Sequence, residues 1–348
     1  MVVDMEASRS GHGRFAGSGG SLSRAPWRRT ERPGQCVTIG LVNNMAGAAF
    51  QATERQFVSL LDSASECIPI HASFYTLPGL SRTQSGGDHF ASHYASVESL
   101  LDTHLDGLIV TGREPKMANL RDEPYWESFT QLLEWARSNT YSAVWSCLAA
   151  HAAILHMDGI GRRRSEEKKF GVFECAHVSD HPLMQGLSPR FHVPHSRWNG
   201  VAQEDLTNSG YCVLSQITGD GVDMFVKQEK SLFVFLQGHL EYESDTLLRE
   251  YRRDIGRYIK GKTNTYPLLP QGYFESSTES LLTTLRDTAA SCRKVELLGK
   301  VAAALEITKI ENTWQHSASR IYRNWLQSIC AQKRASKHRA PSSLSFSQ

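Results

Sequence analysis

Three things are scarce in this 348-residue chain. Cysteine is one: there are seven, an odd number, with no CxxC pair anywhere. That excludes a disulfide framework and a cysteine-rich zinc site, and it points to a reducing compartment, the cytoplasm. Net charge is the second. Lys and Arg total 38 against 36 Asp and Glu, a formal charge of +2, so no strong basic excess marks a nucleic-acid binder. Long apolar runs are the third. The most apolar stretch, residues 141–157, is broken by Ser142, Ser146, His151 and His156 and is shorter than the ~20 residues of a membrane-spanning helix. No h-region marks the N-terminus, which argues against a secretory signal. No partner membrane or nucleic acid is therefore expected. What remains is 40% apolar and 21% charged, enough to bury a substantial core.

The two ends are compositionally distinct. Residues 1–35 are rich in Gly, Ser and Arg without apolar period and are expected to be a disordered tail. Residues 333–348 (KRASKHRAPSSLSFSQ) are expected to be a second, basic and solvated tail. Between them, strand-like and helix-like runs alternate. Strands are expected at Cys36–Val42, Ile68–Tyr75, Asp106–Thr111 and Tyr141–Ser146, and helices at Gln51–Ala64, Tyr125–Ser138 and Leu148–Met157. DGLIVT is a near-continuous apolar run, as in a parallel strand buried on both faces. Further strands are expected at Phe170–Val178, Tyr211–Ile217, Val222–Gln228 and Ser231–Leu236, then a helix over Ser244–Ile259. The pattern predicts an α/β fold with a doubly wound, mostly parallel sheet flanked by helices over residues 36–275. A C-terminal helical segment over 276–332 is expected to pack on it. It opens with Ser276-x-x-Glu279, the spacing of a capping box.

The sharpest chemical signal is YSAVWSCLAAHA. Cys147 falls where a strand ends and small residues open a helix. That junction is a nucleophile elbow, where backbone N–H groups can hold an oxyanion and the helix N-terminus favours thiolate. On this segment alone, a buried cysteine acting as a small hydrophobe is an equal reading. A second strand-like run, residues 232–236, ends in Gln237-Gly238-His239-Leu240-Glu241-Tyr242. Open α/β sheets place their sites at strand ends, and a Cys–His pair oriented by a carboxylate is the activated-nucleophile arrangement.

With these residues in view, the chain resembles the homoserine O-acyltransferases, the transsuccinylases and transacetylases of methionine biosynthesis. The resemblance runs from about Ile39 to Tyr258: LVNNM with Thr53-Glu54, DGLIVTG, Tyr125-Trp126, the Cys147 elbow, KKFGVFE from Lys168, Pro194-His195-Ser196-Arg197, GHLEY from Gly238, and Glu250-Tyr251 with Arg253-Asp254. It resumes at Trp314, His316-Ser317-Ala318 and Asn324-Trp325-Leu326. It implies a class I glutamine amidotransferase-like fold. It also implies Cys147 as the acyl-accepting nucleophile, His239 as general base and Glu241 as its orienting partner. Lys168 and Ser196 match substrate-contacting positions, and Arg253 matches the arginine that grips the amino acid's carboxylate, a planar anion that suits a guanidinium.

The chain departs from the family pattern in places. Leu240 stands where proline is usual and Leu148 where tryptophan is frequent. Residues 46–52 replace a Pro-Lys stretch and contain no lysine, which removes a basic contact to the acyl donor. Lys116 occupies the position associated with acyl preference, where glycine accompanies succinyl and glutamate accompanies acetyl. A lysine there would pair with a distal carboxylate, so succinyl-CoA is slightly favoured over acetyl-CoA. The expected reaction moves the acyl group through a Cys147 thioester to L-homoserine by ping-pong kinetics, with acyl-CoA as co-substrate and neither cofactor nor metal. A homodimer is compatible with this expectation. The competing readings are a glutamine amidotransferase-like hydrolase, although the glycines it would want around Cys147 are absent, and a catalytically idle relative.

Overall fold

A computed structural model describes residues 36–78 and 93–339. The expected N-terminal tail lies outside these residues, as does 340–348. Ten strands form one sheet: β1 (Val37–Val42), β2 (Ile70–Thr76), β3 (Tyr94–Ser96), β4 (Gly107–Thr111), β5 (Ser142–Ser146), β6 (Arg163–His177), β7 (Arg190–Gly200), β8 (Cys212–Ile217), β9 (Val222–Gln228) and β10 (Leu232–Leu236). Their order is β3-β2-β1-β4-β5-β10-β9-β8-β6-β7. From β3 to β10 every pairing is parallel. From β10 outward to β7 every pairing is antiparallel. The α/β class and the mostly parallel centre of the sheet follow from the alternating pattern of the sequence.

Helices cover both faces. On one face lie α2 (Val97–Leu101), α3 (Trp126–Asn139) and α4 (Leu148–Asp158), packed on Leu108, Val110, Ala143, Trp145, Phe233 and Phe235. On the other lie α1 (Ala48–Ser65) and the last helix, α9 (Gln315–Arg339), packed on Ile39, Leu41, Ile109, Val144 and Val234. The period of two along β4, β5 and β10 thus divides each apolar run between two cores. Helix α5 (Gln203–Asn208) precedes β8, and α6 (Thr246–Ile259) follows β10. A third core joins Phe170 and Val172 of β6 with Leu247, Tyr251 and Ile255 of α6. It also takes in Leu282 of α7 (Ser276–Ser291) and Val301 of α8 (Glu296–Glu306). No helix among the described residues is long and apolar enough to cross a membrane. All seven cysteines lie among the described residues, and none forms a disulfide.

Three expectations need correction. The C-terminal tail does not begin at residue 333, because α9 continues to Arg339 and Lys333 Nζ is held by the Cys36 carbonyl at 2.8 Å and by Asp106 at 2.5 Å. The capping box does not form. Glu275 is the N-cap, without a side-chain bond, and Ser276 is already helical. The strand expected from Phe170 begins seven residues earlier, at Arg163, as a solvent-facing ribbon with β7. That ribbon carries charge on its exposed positions, so no apolar alternation announces it.

Candidate active site

Cys147 stands between β5 and α4 at φ 53° and ψ −114°, a left-handed backbone position that costs a non-glycine residue about 1–3 kcal/mol. Its N–H donates to the Leu236 carbonyl at 2.7 Å, which ties the elbow to the end of β10. Gly112, just past β4, faces the opening of α4. A Cβ there would lie 2.7 Å from the Leu148 nitrogen and 3.0 Å from the Ala149 nitrogen. The absent side chain keeps open the approach to amides that the first turn of a helix cannot satisfy internally, and these lie at the positive end of the helix dipole.

His239 follows β10 and is positioned by its neighbours. Its N–H donates to the Pro194 carbonyl at 2.8 Å. Its Nδ1 bonds Glu241 Oε1 at 2.8 Å, so Nδ1 carries the proton and Nε2 is left for the Cys147 sulfur. The ring stacks on Tyr242 with centroids 4.3 Å apart. Burial disfavours the imidazolium, but the charges and hydrogen bonds of Glu241 and Cys147 outweigh it and hold the His239 pKa well above its ordinary value. The three residues expected to act together, Cys147, His239 and Glu241, are adjacent.

The expected substrate contacts gather around a residue the sequence reading did not single out, Glu250 of α6. Ser196 Oγ donates to Glu250 Oε2 at 2.7 Å, and Tyr242 Oη donates to Oε1 at 2.6 Å. Lys168 and Arg253 each approach the same carboxylate at 4.0 Å. Lys168 packs over the Phe170 ring at 4.2 Å, and burial pulls its pKa down against the charges of Glu250, Asp254 and Glu114. Tyr242 therefore links the His239 ring to the Glu250 cluster. Arg253 is half open: its side chain is 55% exposed and forks onto Asp254 at 2.9 and 3.2 Å. Tyr242 and Glu250 both lie in sequence runs that resemble the family. Their eight-residue spacing across the start of α6 gave no sign that the two side chains meet.

Lys116 does not join this cluster. It is exposed, and its backbone N–H and that of Met117 donate to the buried Glu123 carboxylate at 2.5 and 2.7 Å. That bond fixes the loop after β4. Among the residues of this loop, Glu114 is the one whose charge reaches Lys168.

A second layer of polar groups lies beneath the turn that carries His239. A Cβ on Gly238 would sit 3.0 Å from both Asp223 Oδ1 and His195 Cε1, so this turn rests directly on the pair. Arg197 Nε donates to His195 Nδ1 at 3.2 Å, His195 Nε2 lies 3.2 Å from Asp223, and Ser215 Oγ donates to Asp223 at 2.6 Å. Cys175 completes a set of metal-ligand atoms within 4.8 Å of one another. The guanidinium on His195 takes a lone pair that a metal would need and opposes a cation, so the layer reads as a hydrogen-bonded core.

Two buried histidines make this region acid-sensitive. Burial, with the charges of Arg197 and Arg162, pushes His151 down to about 3. Burial pushes His195 down to about 4 against the pull of Asp223. Both are neutral in the folded chain where the unfolded chain would bind a proton, so stability falls as pH drops below the unfolded value of about 6.5. Lowering the pH from 6 to 5 is expected to cost about 2 kcal/mol for the two together. Urea unfolding at both values measures this, and an unchanged midpoint would refute it.

The homoserine O-succinyltransferase family profile matches residues 25–336. The homoserine O-succinyltransferase of Rhodopseudomonas palustris is 42% identical over 297 residues, 85% of this chain and 89% of that protein. Its namesake in Bradyrhizobium japonicum is 40% identical over 291 residues, 83% of this chain and 89% of that protein. Among solved structures, a glutamine amidotransferase from Methylobacillus flagellatus overlays with a TM-score of 0.46 at 14% identity, covering 84% of this chain and 95% of that one. From the extent of the profile match and the identities to the two succinyltransferases, the chain belongs to the homoserine O-succinyltransferase family.

Proposed function

We propose that this protein transfers an acyl group, succinyl in preference to acetyl, from acyl-CoA to the hydroxyl of L-homoserine in methionine biosynthesis, without cofactor or metal. The observation that carries the reading is the joining of two arrangements beside the ends of the central strands β5 and β10. A Cys147–His239–Glu241 relay lies against a Lys168–Ser196–Glu250–Arg253 cluster through Tyr242. The names of the relatives and their close identity support the acyl group and the acceptor.

In the first half-reaction the Cys147 thiolate attacks the thioester carbonyl. The oxyanion forms toward the amides that open α4, and the CoA sulfur leaves with the proton of the His239 imidazolium. Acylation removes the negative charge on sulfur, one of the influences that holds the His239 pKa up. The neutral imidazole is then a base at the moment the second half-reaction needs one. It takes the proton of the homoserine hydroxyl as that oxygen attacks the enzyme thioester. Loss of the acyl group returns the thiolate and the imidazolium. The acceptor is a zwitterion, and the cluster offers both signs: Arg253 and Lys168 for its carboxylate, Glu250 for its ammonium.

The test is a panel of succinyl-CoA and acetyl-CoA with homoserine and serine, read by thiol release. Homoserine with succinyl-CoA is expected to be the fastest pair, and no release with any pair overturns the reading. In the same assay Arg253→Lys should raise the KM for homoserine roughly tenfold, because a lysine cannot copy a two-bond grip on a carboxylate. It should leave single-turnover acylation unchanged. Arg252→Lys, on the exposed side of α6, should do neither. Equal effects of the two changes would show that Arg253 does not hold the carboxylate.

A further inference from the structure

The β6–β7 ribbon has two faces with different charge. Lys168 and Ser196 look toward the Glu250 cluster. Lys169 and Arg197, directly paired across the ribbon, look the other way, as alternation requires. There they line a cleft of about 220 Å³ together with Arg163, Arg164, Asp220 and Gln237. Four cations thus share this cleft with one carboxylate. Arg163 is also bridged to Asp205 and Lys169 to Asp220. Arg164 lies 4.4 Å over the ring of Trp198, which holds that guanidinium at the rim of the cleft.

The cleft reaches the reaction centre at its inner end. Gln237 follows Leu236, whose carbonyl holds the Cys147 N–H, and precedes Gly238 and His239. Gln237 is 1% exposed. Its Nε2 donates to the Val222 carbonyl at 2.6 Å, and its Oε1 is buried without a partner among the described residues. That leaves an unsatisfied acceptor on the cleft wall, which a donor on a ligand would satisfy.

Resting on the acyl-CoA reading above, we infer that this cleft seats the phosphate-bearing end of the acyl donor: Lys169, Arg163 and Arg164 on the phosphates, and Gln237 Oε1 accepting from an amide N–H of the arm that leads to the thioester. Charge selects the ligand. Homoserine is net neutral, and a succinyl group adds one carboxylate, whereas the nucleotide end of the donor is a polyanion. The volume fits an end group, because whole small-molecule sites usually hold roughly 300–1,000 Å³. The lysine-free stretch at residues 46–52 is then no loss, since this ribbon supplies the positive charge.

The test compares succinyl-CoA with S-succinyl-N-acetylcysteamine, which has the thioester but no nucleotide. Arg164→Ala and Lys169→Ala should each raise the KM for succinyl-CoA roughly tenfold. The KM for the truncated donor should move less than about twofold, since the lost contacts are to a group it lacks. Asp220→Asn removes a carboxylate that competes with the phosphates for Lys169, and it should lower the KM for succinyl-CoA. A merely structural pairing predicts the reverse. Adenosine 3′,5′-bisphosphate should compete with succinyl-CoA and bind the unacylated enzyme, more weakly with rising salt and more weakly in Lys169→Ala. Equal effects on both donors, a raised KM in Asp220→Asn, or bisphosphate binding unaffected by Lys169→Ala would each overturn the assignment. If neither donor acylates the wild type, the acyl-CoA reading fails instead, and the bisphosphate titration decides separately whether the cleft binds a polyanion.

Discussion

Cys147→Ala is expected to abolish acyl transfer, with a loss of at least ~10³-fold, because the covalent intermediate has no other site to form. Wild-type enzyme mixed with succinyl-CoA alone should gain one succinyl mass on the Cys147 peptide and release one equivalent of CoA. The variant should gain none. The elbow makes the comparison clean: alanine keeps the volume of the backbone turn and occupies the same left-handed position, and no hydrogen bond described at this residue depends on the sulfur except that with His239. Transfer at near wild-type rate by Cys147→Ala would remove this residue from the mechanism.

The second large effect is expected at His239. His239→Ala should slow both half-reactions by roughly 10²–10⁴-fold, the usual range for loss of a general acid–base group. Glu241→Gln should cost less. The amide still reaches His239 Nδ1 from 2.8 Å away and can accept its proton, so the ring stays oriented while the charge that favours the imidazolium is lost. The two variants also separate by pH. Glu241→Gln lowers the His239 pKa, so the acylation rate should begin to fall at a lower pH than in the wild type. A Glu241→Gln enzyme slower than His239→Ala, or one with an unmoved pH profile, would mean that the roles are reversed or that the carboxylate serves only packing. Stopped-flow acylation across pH reads both.

How far the sequence foretold this arrangement depends on where apolar side chains were the informative ones. The strands β4, β5 and β10 were legible because both of their faces are buried, Leu108, Ala143 and Phe233 on one side and Ile109, Val144 and Val234 on the other, and continuous burial leaves a continuous apolar run. The elbow followed from β5 ending in small residues. Strand β7 was not read as a strand. Pro194 interrupts it, and proline is compatible with a strand only where a ladder hydrogen bond is dispensable, as at this sheet edge. The charged first half of β6 was silent for a similar reason, since exposed ribbon positions follow no apolar period. The site shows the same divide. The relay is local, with His239 and Glu241 two residues apart. The Glu250 cluster assembles from β6, β7 and α6 by tertiary packing alone, and no spacing rule encodes that meeting. Arg253, expected from the resemblance to grip a carboxylate, is half open, because its helix presents that position toward Asp254 and solvent.

Helix α9 has a consequence for how the chain is made. It is the final described element, yet it covers one side of strands formed early in the chain: Trp325 Nε1 donates to Ser142 Oγ at 2.8 Å, and Lys333 clasps Asp106 and the carbonyl of Cys36. Contacts that join residue 36 to residue 333 cannot form until residue 333 has left the ribosome. Until then the apolar side formed by Ile39, Leu41 and Val144 has α1 on it but not α9. This face is therefore completed only when α9 has emerged, and chains that terminate before residue 315 leave the part of it that α1 does not cover open to the chaperones that meet them.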